Sequence, residues 1–225
     1  GNQELAARTG LAKATVSRLT YTLSRLGCLS YSTDTGKYTL SVSALGLGFA
    51  ALGSMGIRDV ARPHMQALAN ETGVSVALGA RDGTSMVYLE HCRGDSPLHI
   101  GIEVGSHINL AGTAMGRAYL AALDEKERAA LILELKKKES WKRSKKGVNE
   151  ALADHGRHGF VLSIGEWRPE VNAVGVPLVL GSGPLTFALN CGGPAVLLPR
   201  DKLIDQVGPR LMDVARQIQL EMGIG

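Results

Sequence analysis

Two short helical segments meet at Gly10, and a period-two stretch follows them within a few residues; few folds accommodate that order in so little chain. Gln3 to Thr9 reads as the first helix, which Gly10 stops because glycine takes a left-handed terminal conformation without strain. The second runs from about Lys13 to Leu26, where Val16, Leu19, Leu23 and Leu26 fall at i, i+3, i+7 and i+10, one stripe of an α-helix. Gly27 ends it. The other face shows Lys13, Thr15, Ser17, Arg18, Tyr21, Thr22 and Arg25, which are hydrogen-bonding or basic and include no carboxylate. Residues 29–40, LSYSTDTGKYTL, then alternate in period two around Asp34-Thr35-Gly36, a hairpin signal. Helix, turn, helix and small hairpin make a winged helix-turn-helix, whose second helix enters the major groove of duplex DNA while the wing rests on the backbone. Candidate DNA contacts are therefore Lys13, Thr15, Ser17, Arg18, Tyr21 and Arg25 on the helix and Lys37 on the wing. A plain helical hairpin with a wet face explains the helices alone, but not the wing.

Charge is distributed to match. Residues 1–57 hold five Lys/Arg against Glu4 and Asp34, a net of +3, whereas the remaining chain holds 20 against 19. Seven of those 20 lie in one run, KKKESWKRSKK, from Lys136 to Lys146, so the rest of the larger segment is acidic. A basic front on a neutral-to-acidic body points to nucleic acid at the front. The 136–146 run reads as a solvated helix end or loop, or as a second anion-contact surface.

The 225 residues, 44 % hydrophobic and 20 % charged, suffice for one or two domains with a sizeable core. The longest low-polarity stretch, Ala44 to Gly53, is half the roughly 20 residues a membrane span needs. Three distant cysteines (Cys28, Cys92, Cys191) and the lack of a signal peptide fit a cytoplasmic protein with free thiols. The chain starts at Gly1, without Met and inside a helical pattern, so a true N-terminus further upstream is expected.

Residues 42–56, VSALGLGFAALGSMG, read as an apolar, glycine-punctuated linker helix that presents Leu45, Phe49, Leu52 and Met55 to a second subunit. A helix over Asp59–Thr72 closes at Gly73. Strands follow at 74–80, 85–92 and 99–104, with a turn at Asp82-Gly83. Leu120 to Leu135 is helical with a break at Asp124, a cap to which Glu127 reaches back. Strands return at 160–165, 171–180 and 185–191, and a helix from about Asp201 to Met222 ends the chain, with Leu203, Val207, Leu211, Val214 and Ile218 at helical spacing. Helices flanking a central antiparallel sheet make an α+β domain of a kind used for sensing.

Taken in order, ELAARTGLAKATVSRLTYTLSRLGCL at the front, INLAGTAMGRAYLAAL (108–123), GEWRPEVNAVGVPL (165–178) and FALNCGGP (187–194) resemble the IclR-type transcriptional regulators over essentially the whole chain. The resemblance implies a winged helix-turn-helix DNA-binding domain (1–41), a linker helix (42–57) and a C-terminal α+β GAF-like effector-binding domain with a central antiparallel sheet (58–225), working as a homodimer or homotetramer. Two positions depart from the family pattern: Asn109 stands where proline is common and Ala111 where histidine is frequent. The family's first helix is absent, in keeping with an upstream start. Carried over position by position, the effector pocket would be lined by Ile108, Thr113, Ala114, Met115, Ser163, Val171, Ala173, Asn190 and Gly192.

The residues support that pocket in part. Ala111, Gly112, Thr113 and Ala114 are small enough for a ligand to approach backbone N–H groups at a helix N-terminus, which favours an anion. On spacing alone, tight helix–sheet packing explains them equally well. With no Lys or Arg in the set, a small monocarboxylate with an apolar or aromatic body suits it better than a phosphorylated sugar, unless nearby Arg168 turns inward. Catalytic and metal readings are weaker. Asp154, His155 and His158 have no evident third ligand, and His91 and Cys92, as strand neighbours, point to opposite faces. Glu166 and Glu170 have no accompanying nucleophile, and the chain has no G-x-S-x-G, P-loop or dinucleotide fingerprint. The expectation is a ligand-responsive transcriptional regulator with no cofactor and no metal, whose partners are operator DNA, a small organic acid or aromatic metabolite, and copies of itself. An enzyme built on the α+β domain and a sensor acting on a protein partner are the alternatives.

Overall fold

A computed structural model of the chain describes residues 1–96, 101–181 and 186–223. It divides into two compact units, Gly1–Gly56 and Ile57–Gly225. In the first, α1 (Asn2–Thr9) stops at Gly10, whose φ is 70°, and α2 (Lys13–Arg25) follows after a three-residue turn. The hairpin pairs β1 (Leu29–Ser32) with β2 (Lys37–Leu40), and Tyr31 faces Tyr38 with ring centroids 4.8 Å apart. Next comes α3 (Val42–Gly53), with no buried residue. The expected apolar stripe of α2 needs correction. Val16 and Thr20 are buried, whereas Leu19, Leu23 and Leu26 are 51 %, 41 % and 67 % exposed. Thr20 takes a stripe position because its hydroxyl donates to the Val16 carbonyl and to Asn2 Oδ1 of α1, so a polar side chain is buried with its bonds made.

The second unit is a six-stranded antiparallel sheet in the order β5-β4-β3-β8-β7-β6, covered on both faces. Its elements are α4 (Ile57–Thr72), β3 (Ser75–Asp82), β4 (Ser85–Cys92), β5 (His107–Asn109), α5 (Ala114–Ala122), α6 (Glu125–Lys136), α7 (Trp141–His158), β6 (Val161–Ile164), β7 (Val171–Val179) and β8 (Thr186–Pro194). A short α8 (Arg200–Lys202) passes through a π turn (Leu203–Val207) into α9 (Gly208–Glu221). α4 and α9 pack on one face of the sheet, and Arg58 and Arg62 of α4 both pair with buried Glu90 of β4, at 2.9 and 2.7 Å. α5 packs on the other face, backed by α7. Helix and strand approach closely there. A Cβ on Gly116 would lie 2.0 Å from the Leu110 carbonyl oxygen, and one on Gly175 would lie 2.5 Å from that of Ala114.

One element differs from the sequence reading. The strand expected at 99–104 is not one over 101–104, and its first two residues lie outside the described set, as does Leu185 of the strand expected at 185–191. Gly105, at φ 85°, turns the chain, and pairing with β4 comes instead from β5. The break expected at Asp124 is present: it separates the end of α5 from α6, and the Asp124 carboxylate accepts from Glu127 N at 2.8 Å. Among the described residues no single helix is long and apolar enough to cross a membrane.

Candidate functional site

In the first unit, Lys13, Ser17, Arg18, Tyr21, Arg25 and Lys37 are exposed and Thr15 is half-buried. The basic side chains of α2 are thus exposed, as are Leu19, Leu23 and Leu26 of its expected apolar stripe. Ser17 is already engaged, its hydroxyl accepting from Asn2 Nδ2 at 3.2 Å. Arg18 and Arg25 carry no carboxylate partner among the described residues, so both guanidinium forks are available for base edges or phosphates.

The second unit holds a cavity between the sheet and the start of α5. Its walls are Ser75 and Ala77 of β3, Tyr88 and His91 of β4, Ile102, Ile108, Thr113, Ala114, Ser163, Trp167, Val171, Ala173, Asn190 and Gly192. Eight of the nine residues named from the sequence meet there. Met115 does not. It is fully buried and points at Gly79 of β3, where a Cβ would sit 2.3 Å from its sulfur. One position along a helix turns a side chain by about 100°, which carries Met115 into the core beside the cavity. The small residues of the loop serve both of the roles weighed for them. Ala111 is buried and Gly112 lies against the Asn109 side chain, whereas Thr113 and Ala114 face the cavity.

Sequence reasoning missed Ser75, Ala77, Tyr88, His91, Ile102 and Trp167. Alternation along β3 marks Ser75 and Ala77 as a pair on one face. Tyr88 and His91 are three apart and should face opposite ways. A bulge opposite Leu78/Gly79 inserts one residue in β4, so Ala77 pairs with His91 and Gly79 with Tyr88, and both side chains turn inward. Cys92 turns outward to α4, its thiol 3.7 Å from the Arg62 carbonyl oxygen. The polar inventory of the walls is neutral or weakly basic. Burial pushes the Tyr88 phenol up to about 12, against a bond from Asn190 that lowers it, so the phenol keeps its proton. Asn190 Oδ1 is buried without a partner, an acceptor still open.

Asn109 and Thr113 set the geometry of the α5 N-terminus. Asn109 Oδ1 accepts from Gly112 N at 2.7 Å and its Nδ2 donates to Ser140 at 3.1 Å. Thr113 caps α5, donating to the Asn109 carbonyl and accepting from Gly116 N. Arg168 does not turn inward. It is exposed and lies over the Trp167 ring, 4.4 Å from its centroid. Among the described residues no Lys or Arg lines the cavity.

The remaining candidates have structural occupations. Asp154 pairs with Arg157, His158 stacks on Phe160, and burial lowers the pKa of His155, with Arg128 adding to it. Glu166 is held by Arg117, and Glu170 is exposed. All seven basic side chains of the 136–146 run are exposed at the end of α6 and the start of α7.

A winged helix-turn-helix followed by a narrow, mostly apolar cavity in an α+β unit defines a DNA-binding regulator. Comparison with known proteins agrees. A family model described as the IclR helix-turn-helix domain matches residues 1–32, and one described as the bacterial transcriptional regulator IclR C-terminal matches residues 49–220. The chain is 35 % identical to the HTH-type transcriptional regulator TsaQ1/TsaQ2 of Comamonas testosteroni, over 99 % of this chain and 81 % of that protein. A crystal structure of an IclR family transcriptional regulator from Brucella abortus is similar at 44 % identity and TM-score 0.89, over 98 % of this chain and 84 % of the other. An IclR homologue from Microbacterium hydrocarbonoxydans, complexed with 4-hydroxybenzoate, shares the fold at 21 % identity and TM-score 0.71, over 99 % and 90 % of the two chains. This chain belongs to the IclR family of transcriptional regulators.

Proposed function

We propose that the cavity beside α5 binds a small monocarboxylate with an apolar or aromatic body, and that its occupancy modulates operator binding by α2 and the wing. One observation carries the ligand class: an apolar frame with neutral polar groups, at a capped helix N-terminus, with no Lys or Arg among the described lining residues. A single negative charge there is met by helix N–H groups and hydroxyls, whereas the several charges of a sugar phosphate would lack counter-ions. The 4-hydroxybenzoate complex of the Microbacterium homologue supports the same chemistry. In this reading residues 1–41 bind DNA through Lys13, Thr15, Ser17, Arg18, Tyr21, Arg25 and Lys37. Residues 42–57 form the linker, and 58–225 bind the effector and assemble copies of the chain. It acts as a non-enzymatic protein of the cytoplasm.

The test is a thermal-shift screen followed by calorimetry. Benzoate, 4-hydroxybenzoate and short aliphatic monocarboxylates are compared with a sugar phosphate. At least one monocarboxylate should raise Tm, and Ala173→Leu, which fills the slot, should abolish the rise while specific DNA binding persists. Stabilisation by the sugar phosphate alone, or unchanged affinity in Ala173→Leu, would place the ligand or its site elsewhere.

A further inference from the structure

Trp167 is the half-buried cavity wall carried by the loop between β6 and β7, residues 165–170. That loop is pinned at both ends. Gly165 N donates to Asn172 Oδ1 at 3.0 Å, and Ala195 N donates to the Glu170 carbonyl at 2.8 Å. Between those ends its side-chain tie is Glu166, whose two carboxylate oxygens accept from Arg117 Nη1 and Nη2, each at 2.7 Å. Arg117 is 1 % exposed, and its Nε donates to the Ala111 carbonyl at 2.9 Å. One buried guanidinium therefore joins the loop that opens α5 to the loop that carries Trp167. α7 leaves room for this arrangement only because it has glycine at 147. A Cβ there would lie 1.9 Å from Glu166 Oε2 and 2.2 Å from Arg117 Nη2.

We infer that the Arg117–Glu166 pair is a latch that positions Trp167 over the cavity, and that a ligand enters and leaves by displacing this loop. The inference rests on the cavity being the ligand site. Its physical basis is a contrast within the walls. Most wall residues belong to the sheet or the start of α5, where movement would break ladder or helix bonds, while Trp167 needs only its loop to swing. The cavity is narrow as it stands, ≈ 40 Å³ being open to the centres of water-sized molecules, so an aromatic ligand requires a wall to move. The fork geometry makes the latch two-state. A bidentate arginine–carboxylate bond is either seated or lost, and losing it strands a buried cation. Glu166 and Arg117 are positioning residues here, since neither is a wall of the cavity.

The chain has two tryptophans, Trp141 and Trp167, so Trp141→Phe leaves Trp167 as the sole reporter. In that background, acrylamide quenching is measured without ligand for the parent, Glu166→Gln and Gly147→Ala. The first variant removes the charge. The second drives the carboxylate off the fork from the α7 side while raising the helix propensity of α7. Both should increase the quenching constant by roughly threefold, as the open arrangement becomes the populated one. Stopped-flow with benzoate as the probe should show faster association and faster dissociation in both. Arg117→Lys, which keeps the charge but not the fork, should fall between. Circular dichroism and a cooperative thermal transition separate a released loop from an unfolded chain. Unchanged quenching in folded Glu166→Gln and Gly147→Ala overturns the latch, and raised quenching with unchanged benzoate rates overturns the route of entry. If benzoate and 4-hydroxybenzoate leave the parent unaffected, the ligand class proposed above fails, while quenching still decides the latch.

Discussion

At residue scale, Asn109 shows how one side chain stiffens the loop before α5. A proline there would stiffen the loop covalently. Asn109 does so through bonds to Gly112 N and Ser140, and through a carbonyl that accepts from Thr113. Asn109→Ala should cost about 1–2 kcal/mol in a urea titration and weaken monocarboxylate binding, because the loop before α5 loses its side-chain bonds to Gly112 N and Ser140 while the carbonyl bond from Thr113 remains. The cysteines make a second prediction. Burial raises the Cys92 thiol to about 11, with Glu90 adding to it, and raises Cys191 to about 12, whereas Cys28 is only half-buried. An aromatic disulfide reagent at pH 8 should label Cys28 quickly and the other two only at the rate of unfolding. Three equal fast phases would contradict the packing. The same shifts give a pH dependence. Above about pH 9 the unfolded chain releases these thiol protons, and near 10 the Tyr88 phenol proton, which the folded chain retains. Folding stability therefore falls as pH rises from about 9 toward 11–12. Denaturation midpoints that stay flat from pH 8 to 11 would refute the assignment of these groups as buried and neutral.

At the scale of elements, what the sequence showed and what it hid divide along one physical line. Elements whose register is written in apolar periodicity were legible: β4 over 85–92, the wing around Asp34-Thr35-Gly36, the Asp124 break, and α9 with Leu211, Val214 and Ile218 buried. α7 was not, because its buried positions are Ser144, Gly147, Val148, Ala151 and Asp154, small or polar residues that make no apolar stripe. It lies close to α5 through that smallness, which a hydrophobicity pattern does not report. The cavity divides likewise. The walls on β6, β7 and β8 follow from the family resemblance, whereas Tyr88 and His91 depend on a bulge that no spacing announces, and Trp167 on a salt bridge across 49 residues. The close approach of α5 gives its own prediction. Gly116→Ala gains about 1 kcal/mol of helix propensity but sets a Cβ 2.0 Å from the Leu110 backbone oxygen, which cannot rotate away. A net loss of about 1–3 kcal/mol in chemical denaturation is expected. A gain would mean that α5 stands further from the 108–113 loop than described.

For the whole molecule, the proposal requires coupling between ligand and DNA, and a second copy would give that coupling two half-sites to act on. A ligand shifts operator affinity only through differential binding to two arrangements, typically about 1–3 kcal/mol. A palindromic operator gives a dimer two paired half-sites to report those arrangements. α3 has the composition of an assembly surface: Val42, Leu45, Leu47 and Phe49 are 82 %, 59 %, 65 % and 69 % exposed in the single chain, and none of its residues is buried. That much apolar surface on one short helix is costly in water unless something covers it. We expect a second α3 to cover it, giving a particle of at least twice the 23.8 kDa chain mass in light scattering at micromolar concentration. Phe49→Asp should raise the concentration at which copies associate and weaken operator binding, because half-sites are then bound singly more often. Arg18→Ala in the dimer should instead cost about 1–3 kcal/mol on the operator and relax sequence preference. Lys37→Ala on the wing should weaken all DNA alike and flatten the salt dependence. The three variants separate assembly from reading. A Phe49→Asp protein that associates as tightly as the parent would show that α3 is covered by something other than its own copy.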